Sequence, residues 1–417
     1  TTTGANNTAV GGYAMQANTT GYDNTSIGEL ALVTNTTGWC NVSVGISALN
    51  SNTTGNHNTA IGRNAMYSNQ QGDRNTAVGS DALYTMNPSG DVDTYNTGIG
   101  YNALYATTTG ADNTAVGGQC LDANTTGNYN AAVGKAALGT NTTGYQNTAI
   151  GCTAMLFNTT GYLNVAVGFD SVKNNTTGYQ NVGVGREALA ANTTGNVNVA
   201  IGSEALKTAT TASDNIAIGA EAGELLTTGS GNTFIGRVAG QDVTTGNYNV
   251  CLGRLAGESQ MTTESDLLYI ARSNGAAGTS GTWIYGQSNG ACFQGNNSTS
   301  WSTTSDRRLK KNIVDNTKGL AEIDQLRVTN FEYRKEDEID ISEFPLADGP
   351  HQVCLNDKTK EGVVQTGVIA QEIEAVLPEC IQTSAKGAKT VNTDPILWAL
   401  VNAVKELSAK VTALEGG

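Results

Sequence analysis

Three sets of side chains have the types and spacing for chemistry. The first is Ser305-Asp306-Arg307-Arg308-Leu309-Lys310, which puts a hydroxyl and an amine on one short stretch. If that stretch is extended, alternate residues share a face, so Asp306, Arg308 and Lys310 line one side with Ser305 at its start. A lysine takes a serine proton only when its own pKa falls towards neutrality, and Arg307, Arg308 and Lys311 push it that way. Standing alone, the segment reads more simply as a basic stretch paired with acidic neighbours. The second set is a column of carboxylates, Asp170, Glu187, Glu204 and Glu221, recurring every 17 residues. Carboxyls about 5 Å apart serve a glycosidase as acid and nucleophile, or hold Ca²⁺. A solvated acidic stripe is the plainer reading, because nothing else converges there. The third set is Tyr145, Tyr162 and Tyr179, with Tyr22 and Trp39 at the same repeat position. Aromatic groups at that spacing either contact sugar rings or form a structural ladder over a turn. His57 and His351 are isolated, and the seven Cys show no metal-ligand spacing, so no His triad, metal site or cofactor is expected. The thiols (Cys40, Cys120, Cys152, Cys251, Cys292, Cys354 and Cys380) are expected to be free, as in a reducing cytoplasm.

The elements that must carry these groups follow from a repeat. The Gly closing each N-x-x-[VIL]-G recurs from Gly11 to Gly253 in steps of 17 residues, with one step of 21 between Gly79 and Gly100. Fifteen units of the form N-T-A-V-G-x-x-A-L-x-x-N-T-T-G-x-x result. Thr, Asn and Gly are poor helix formers, so each unit is expected to be one coil of short strands and turns, stacked about 4.8 Å from the next into a rod of about 70 Å. The invariant Asn, from Asn7 to Asn249, suits an internal ladder that bonds its own turn and the amides above and below. The Val or Ile before the Gly, with the following Ala and Leu, supply only a few apolar groups per coil. A core so thin buries little area, so several chains are expected to share the apolar face along a common axis. Gly223, Gly240 and Gly257 replace the Leu in the last units, which predicts a change of packing partner there. The Asn-Thr-Thr triplets (Asn18, Asn35, Asn52) match a glycosylation sequon, yet the repeat itself requires them.

Composition divides the 417 residues near position 300. Of 23 Lys and Arg, 14 lie in residues 305–417, as do 19 of the 37 Asp and Glu, whereas 44 of the 51 Gly precede them. A net charge of −14 argues against nucleic acid as a partner, and no apolar run is long enough to span a bilayer. The chain opens mid-repeat without a Met, so a preceding part that joins other proteins of the same assembly is expected.

Two resemblances rest on these motifs. The N-T-A-[VI]-G-x-x-A pattern over residues 1–257 resembles the head repeats of trimeric autotransporter adhesins, which are trimeric parallel β-rolls, and the shafts of some phage tail fibres. The 17-residue period is longer than the usual head repeat. In the tail, Ser305 to Lys310 with Lys311-Asn312-Ile313, then Gly367-Val368-Ile369-Ala370-Gln371-Glu372-Ile373 and Val376-Leu377-Pro378-Glu379, resembles the C-terminal intramolecular chaperone auto-processing domain of phage tailspikes, tail fibres and endosialidases. That resemblance implies a trimeric chaperone that nucleates the fibre upstream and then cuts itself off. It further implies Ser305 as nucleophile and Lys310 as base of a Ser/Lys dyad, with Asp306 and Arg308 as the other motif positions. It favours the Ser305–Asp306 bond; attack on the Thr304 carbonyl stays open.

From Asp394-Pro395 onward, Leu397, Leu400, Val404, Leu407, Val411 and Leu414 step by three and four, a heptad seam that needs partner helices. The expected fold is an all-β repeat solenoid, a trimeric parallel β-roll of 17-residue coils over 1–257. A β-rich neck (258–304) and a small α/β chaperone domain (305–417) ending in a coiled-coil helix over 395–415 follow. The expected function is a homotrimeric, host-surface-binding viral tail fibre, assembled in the host cytoplasm, whose end domain directs trimerisation and self-cleaves next to Ser305. A host glycan or protein is its expected receptor, with no membrane insertion. A bacterial surface adhesin or extracellular appendage is the alternative, and a glycan depolymerase a third reading.

Overall fold

The computed structural model describes residues 3–258, 261–272, 282–288, 290, 292–294, 315–332, 334, 338–340, 342, 364–383 and 389–415. The chain separates into two compact units, residues 1–301 and 302–417.

The first unit is a β-solenoid of 17-residue coils. Each coil contributes one three-residue strand ending just before the repeat Gly, from Thr8–Val10 to Val250–Leu252. Neighbouring strands pair in parallel with no slip, as in Thr148↔Val165, Ala149↔Ala166 and Ile150↔Val167. The parallel stack runs one strand past residue 257: Leu268–Ala271 pairs with Val250–Leu252, and Thr282–Gly286 and Cys292–Gln294 then add antiparallel strands. The 21-residue unit is accommodated by a surface excursion in which Gly72–Asp73 pairs with Val92–Asp93.

The repeat Gly is needed because the next coil passes too close. Gly151 has φ +137, and a Cβ there would lie 2.4 Å from the Gly168 carbonyl oxygen. More unusually, the Leu of each unit is also left-handed, for instance Leu138 at φ +51. That conformation costs an L residue about 1–2 kcal/mol, offset here by complete burial of the side chain.

Two Asn ladders line the interior. Asn147 takes Asn130 Oδ1 with its backbone N–H (3.1 Å) and side-chain amide (3.2 Å), and donates that amide to the Gly161 carbonyl at 2.8 Å. The second ladder uses the Asn of N-T-T-G: Asn158 donates to Asn141 Oδ1 at 2.7 Å and to the same Gly161 carbonyl at 3.0 Å. Most buried polar groups of a coil are thus satisfied through its neighbours; Thr107 Oγ1 and Asn192 Oδ1, where the second ladder is interrupted, are the exceptions among the described residues. Asn18, Asn35 and Asn52 belong to this second ladder and are buried, so the sequons are closed to modification in the folded chain.

The core differs from the expectation at two points. The middle strand residue, such as Ala149, faces inward with the Ala and Leu that follow the Gly, and one chain encloses this core completely. The Val or Ile before the Gly does not join it: Ile150 is 44% exposed and Val133 41%. Strand alternation explains the split, since residues i and i+2 share the face opposite to i+1. The Gly residues late in the rod reflect a change inside the coil. Phe234 replaces the middle Ala, and a Cβ on Gly223 or Gly240 would lie 2.6 or 2.3 Å from its ring, while Gly257 adjoins Cys251 and Met261.

In the second unit, α1 (Leu320–Ile323), α2 (Ala370–Val376) and α3 (Asp394–Glu415) accompany two antiparallel pairs, Thr329–Phe331 with Gln365–Gly367 and Ile381–Thr383 with Lys389–Val391. Ile373, Leu377 and Cys380 form its core, against which Leu326, Val368, Ile381, Val391 and Ile396 pack. α3 is held to the α1 segment by Asn402, whose amide donates to the carbonyls of Asn316 (3.0 Å) and Lys318 (2.9 Å).

Candidate functional site

Ser305, Asp306, Arg308 and Lys310 lie outside the described residues, as do Thr304, Lys311 and His351. The second half of the same motif is described, and its role is scaffolding. Gly367 ends a strand, Val368 and Ile373 enter the core, and Glu372 on α2 forms an ion pair with Arg327. Leu377 is fully buried and Pro378 starts a single 3₁₀ turn. These residues hold α2 against the Ile381–Thr383 pair.

The helix α3 shows a division between two faces. Ala399 and Ala403 are buried against the unit, and both are small enough to let the α1 segment approach. Leu397, Leu400, Val404, Leu407, Val411 and Leu414 occupy the other face and stand exposed, from 44% for Val411 to 83% for Leu414. Sequence periodicity places these six residues together on the exposed side of the helix; the Ala pair, which a heptad reading passes over, anchors the helix to its own chain.

On the solenoid, Tyr145, Tyr162 and Tyr179 stack in parallel, with centroids 4.9 and 5.1 Å apart and planes within 6°. Ring faces therefore cover one another, and the row presents edges and hydroxyls. Tyr22 and Trp39 stack likewise at 5.3 Å, with His57 edge-on to Trp39 at 4.2 Å. In most of the other coils this column carries Asn, Asp or Ser that caps the backbone of the preceding coil, as when Asn196 Oδ1 accepts from Tyr179 N–H at 2.9 Å. A second ladder, Tyr67, Tyr84 and Tyr105, stacks at 5.2 Å in a different column. Its signal was present in the sequence as recurrence at the repeat interval.

The carboxylate column is neutralised where it stands. Lys173 pairs with Asp170 (3.0 Å), Lys207 bridges Glu187 (2.7 Å) and Glu204 (2.9 Å), and Arg186 contacts both of these glutamates. Arg237 lies 3.8 Å from Glu221. The Lys207 hydrogen bond holds the Glu187 carboxyl below its usual pKa, the opposite of what a general acid needs. Among the described residues no group of His, Cys, Asp or Glu is arranged to hold a metal ion, and no helix is long and apolar enough to cross a membrane. Six Cys are described and all are free; burial pushes the Cys120 and Cys251 thiols up to about 12.

Residues 305–382 match the family model Peptidase_S74, described as the chaperone of endosialidase. No curated protein and no solved structure matches the chain. A β-solenoid followed by a chaperone-of-endosialidase stretch fits a protein of the tail-fibre or tailspike type.

Proposed function

We propose that this chain is the rod of a homotrimeric viral tail fibre, and that its C-terminal domain gathers three copies and then cuts itself away next to Ser305. The exposed heptad seam of α3 carries this reading. A helix that presents Leu397, Leu400, Val404 and Leu407 to water, while anchored to its own domain through Ala399 and Ala403, is built to bundle with copies of itself. Ser305 is the nucleophile: Lys310 removes its hydroxyl proton, the oxygen attacks the neighbouring peptide carbonyl, Lys310 returns the proton to the nitrogen as the C–N bond breaks and the amine leaves, and water hydrolyses the ester. Asp306 and Arg308 set the charge around the dyad. Gating by assembly follows if trimer formation buries Lys310 and lowers its pKa.

The rod contacts the host surface, and Tyr145, Tyr162 and Tyr179 supply a row of hydroxyls for a glycan or protein receptor. The ion pairs around Glu187 and Glu204 favour this binding role over glycan cleavage. Intact and oligomeric mass of wild type, Ser305→Ala and Lys310→Ala test the proposal. Wild type should release the C-terminal fragment and both variants should stay full-length at 43.1 kDa per chain. Shortening of either variant overturns the dyad, and a monomeric wild type overturns the trimer.

A further inference from the structure

Among the described residues no disulfide ties one coil of the rod to the next, since all six described Cys are free. Two tyrosine ladders, however, hold identical rings face to face across that step. In the first, Tyr67, Tyr84 and Tyr105 stack with centroids 5.2 Å apart and planes within 12°. In the second, Tyr145, Tyr162 and Tyr179 stack at 4.9 and 5.1 Å with planes within 6°. The backbone fixes this register: Ser68 and Thr85 donate to the carbonyls of Tyr84 and Tyr105, and Leu163 and Gln180 to those of Tyr145 and Tyr162. Neighbouring phenol rings are thus held about one strand spacing apart, in an orientation that freely diffusing phenols meet only by chance.

The ladders are also within reach of a reagent in solution. Tyr145 is 40% exposed and Tyr105 36%, and the other four rings are half-buried. The tyrosines that stand more open have no ring beside them in their columns. Tyr129, 62% exposed, lies between Asp112 and Gln146, and Tyr248, 66% exposed, between Gly231 and Asp266. Exposure and stacking therefore select different residues.

The geometry points to these ladders as sites of oxidative tyrosine coupling, where a one-electron oxidant of the haem-peroxidase class, driven by hydrogen peroxide, joins the rings of successive coils. Each ring gives one electron to the oxidant and its phenolic proton to water. The two ring radicals join through their ortho carbons, and each ortho hydrogen then moves to its own phenolic oxygen and restores the aromatic ring. One C–C bond forms; two electrons and two protons leave, and one hydrogen peroxide takes them up to become two waters. The link closes a loop one repeat long, so it restricts the unfolded chain as a disulfide would and hardens the rod. This inference rests on the solenoid alone and is independent of the cleavage and receptor readings.

The test treats the dilute full chain with a haem peroxidase and hydrogen peroxide. Dityrosine fluorescence gives the yield, a denaturing gel shows whether links stay within one chain, and mass spectrometry maps the linked peptides. Links should fall at Tyr67–Tyr84, Tyr84–Tyr105, Tyr145–Tyr162 and Tyr162–Tyr179, within single chains. A Tyr84→Phe/Tyr162→Phe variant keeps both stacks but removes a phenol from every one of these pairs, so its yield should fall about tenfold. A Tyr129→Phe/Tyr248→Phe variant should keep the wild-type yield. Links that map mainly to Tyr129 or Tyr248, or that mainly join separate chains, overturn the inference. So does a Tyr84→Phe/Tyr162→Phe variant that retains the wild-type yield.

Discussion

Phe234 tests how the coil conserves its volume. In the coil ending at Gly100, the middle strand position is Gly98, and a Cβ there would lie 3.5 Å from Leu83 and 3.7 Å from Leu104, the leucines of the preceding coil and its own. Where Phe234 fills that position, the two corresponding leucines are Gly223 and Gly240. Phe234→Ala removes a fully buried ring and should cost about 3–5 kcal/mol. Gly240→Leu alone drives a side chain into ring atoms 2.3 Å from the built Cβ and should cost about 1–3 kcal/mol or more. The double variant recreates the pairing of small middle residue and Leu found in the other coils. Its cost should fall below the sum of the singles by about 2–3 kcal/mol, a coupling expected only of residues in contact. Full recovery is not expected, because Gly223 leaves a void and a left-handed Leu carries about 1–2 kcal/mol of backbone strain. Equilibrium denaturation of the four proteins, followed by circular dichroism, measures the coupling. Additive costs would refute volume exchange as the reason for the late glycines.

Asn147→Ala removes the Oδ1 that accepts from the Asn164 backbone N–H and side-chain amide, while Asn158 still serves the Gly161 carbonyl and the backbone N–H of residue 147 still serves Asn130 Oδ1, so it should destabilise by about 1–3 kcal/mol in the same assay. In the uncleavable Ser305→Ala chain, Leu407→Asp should reduce the proposed trimer to monomer by sedimentation equilibrium; retention of trimer mass would remove the seam as the organiser. Cys120 and Cys251 should resist a thiol reagent at pH 8 in the native chain and react once it is unfolded, whereas exposed Cys152 reacts at once. Because burial raises those two thiols to about 12 from 9.0, the stability they contribute is complete below pH 9 and drains away as pH rises towards 12. Tyr162→Asn restores the residue type that caps this column elsewhere, so the melting temperature should hold while receptor binding weakens; unchanged binding to host cells would show the ladder to be structural only.

The residues alone determined the period and the inward Asn column, because the side-chain requirement at one position of a stacked coil recurs in every coil. They also determined the helix and its seam, since Leu397 to Leu414 carry a heptad pattern that no other element shares. Which apolar residues face inward was not legible. A three-residue strand is too short to show alternation against its turns, so Ile150 and Leu138 read alike as core until the coil closed and put one outside and one inside. The late glycines were visible as a pattern but not as a cause, because Phe234 meets Gly223 and Gly240 only through stacking of successive coils. The acidic column likewise read as free carboxylates, since Lys207 reaches both Glu187 and Glu204 only once residues 17 apart become neighbours. Local spacing sets what each coil is; contact between coils, a distance of one strand spacing and a sequence gap of a whole repeat, decides which side chains remain free to act.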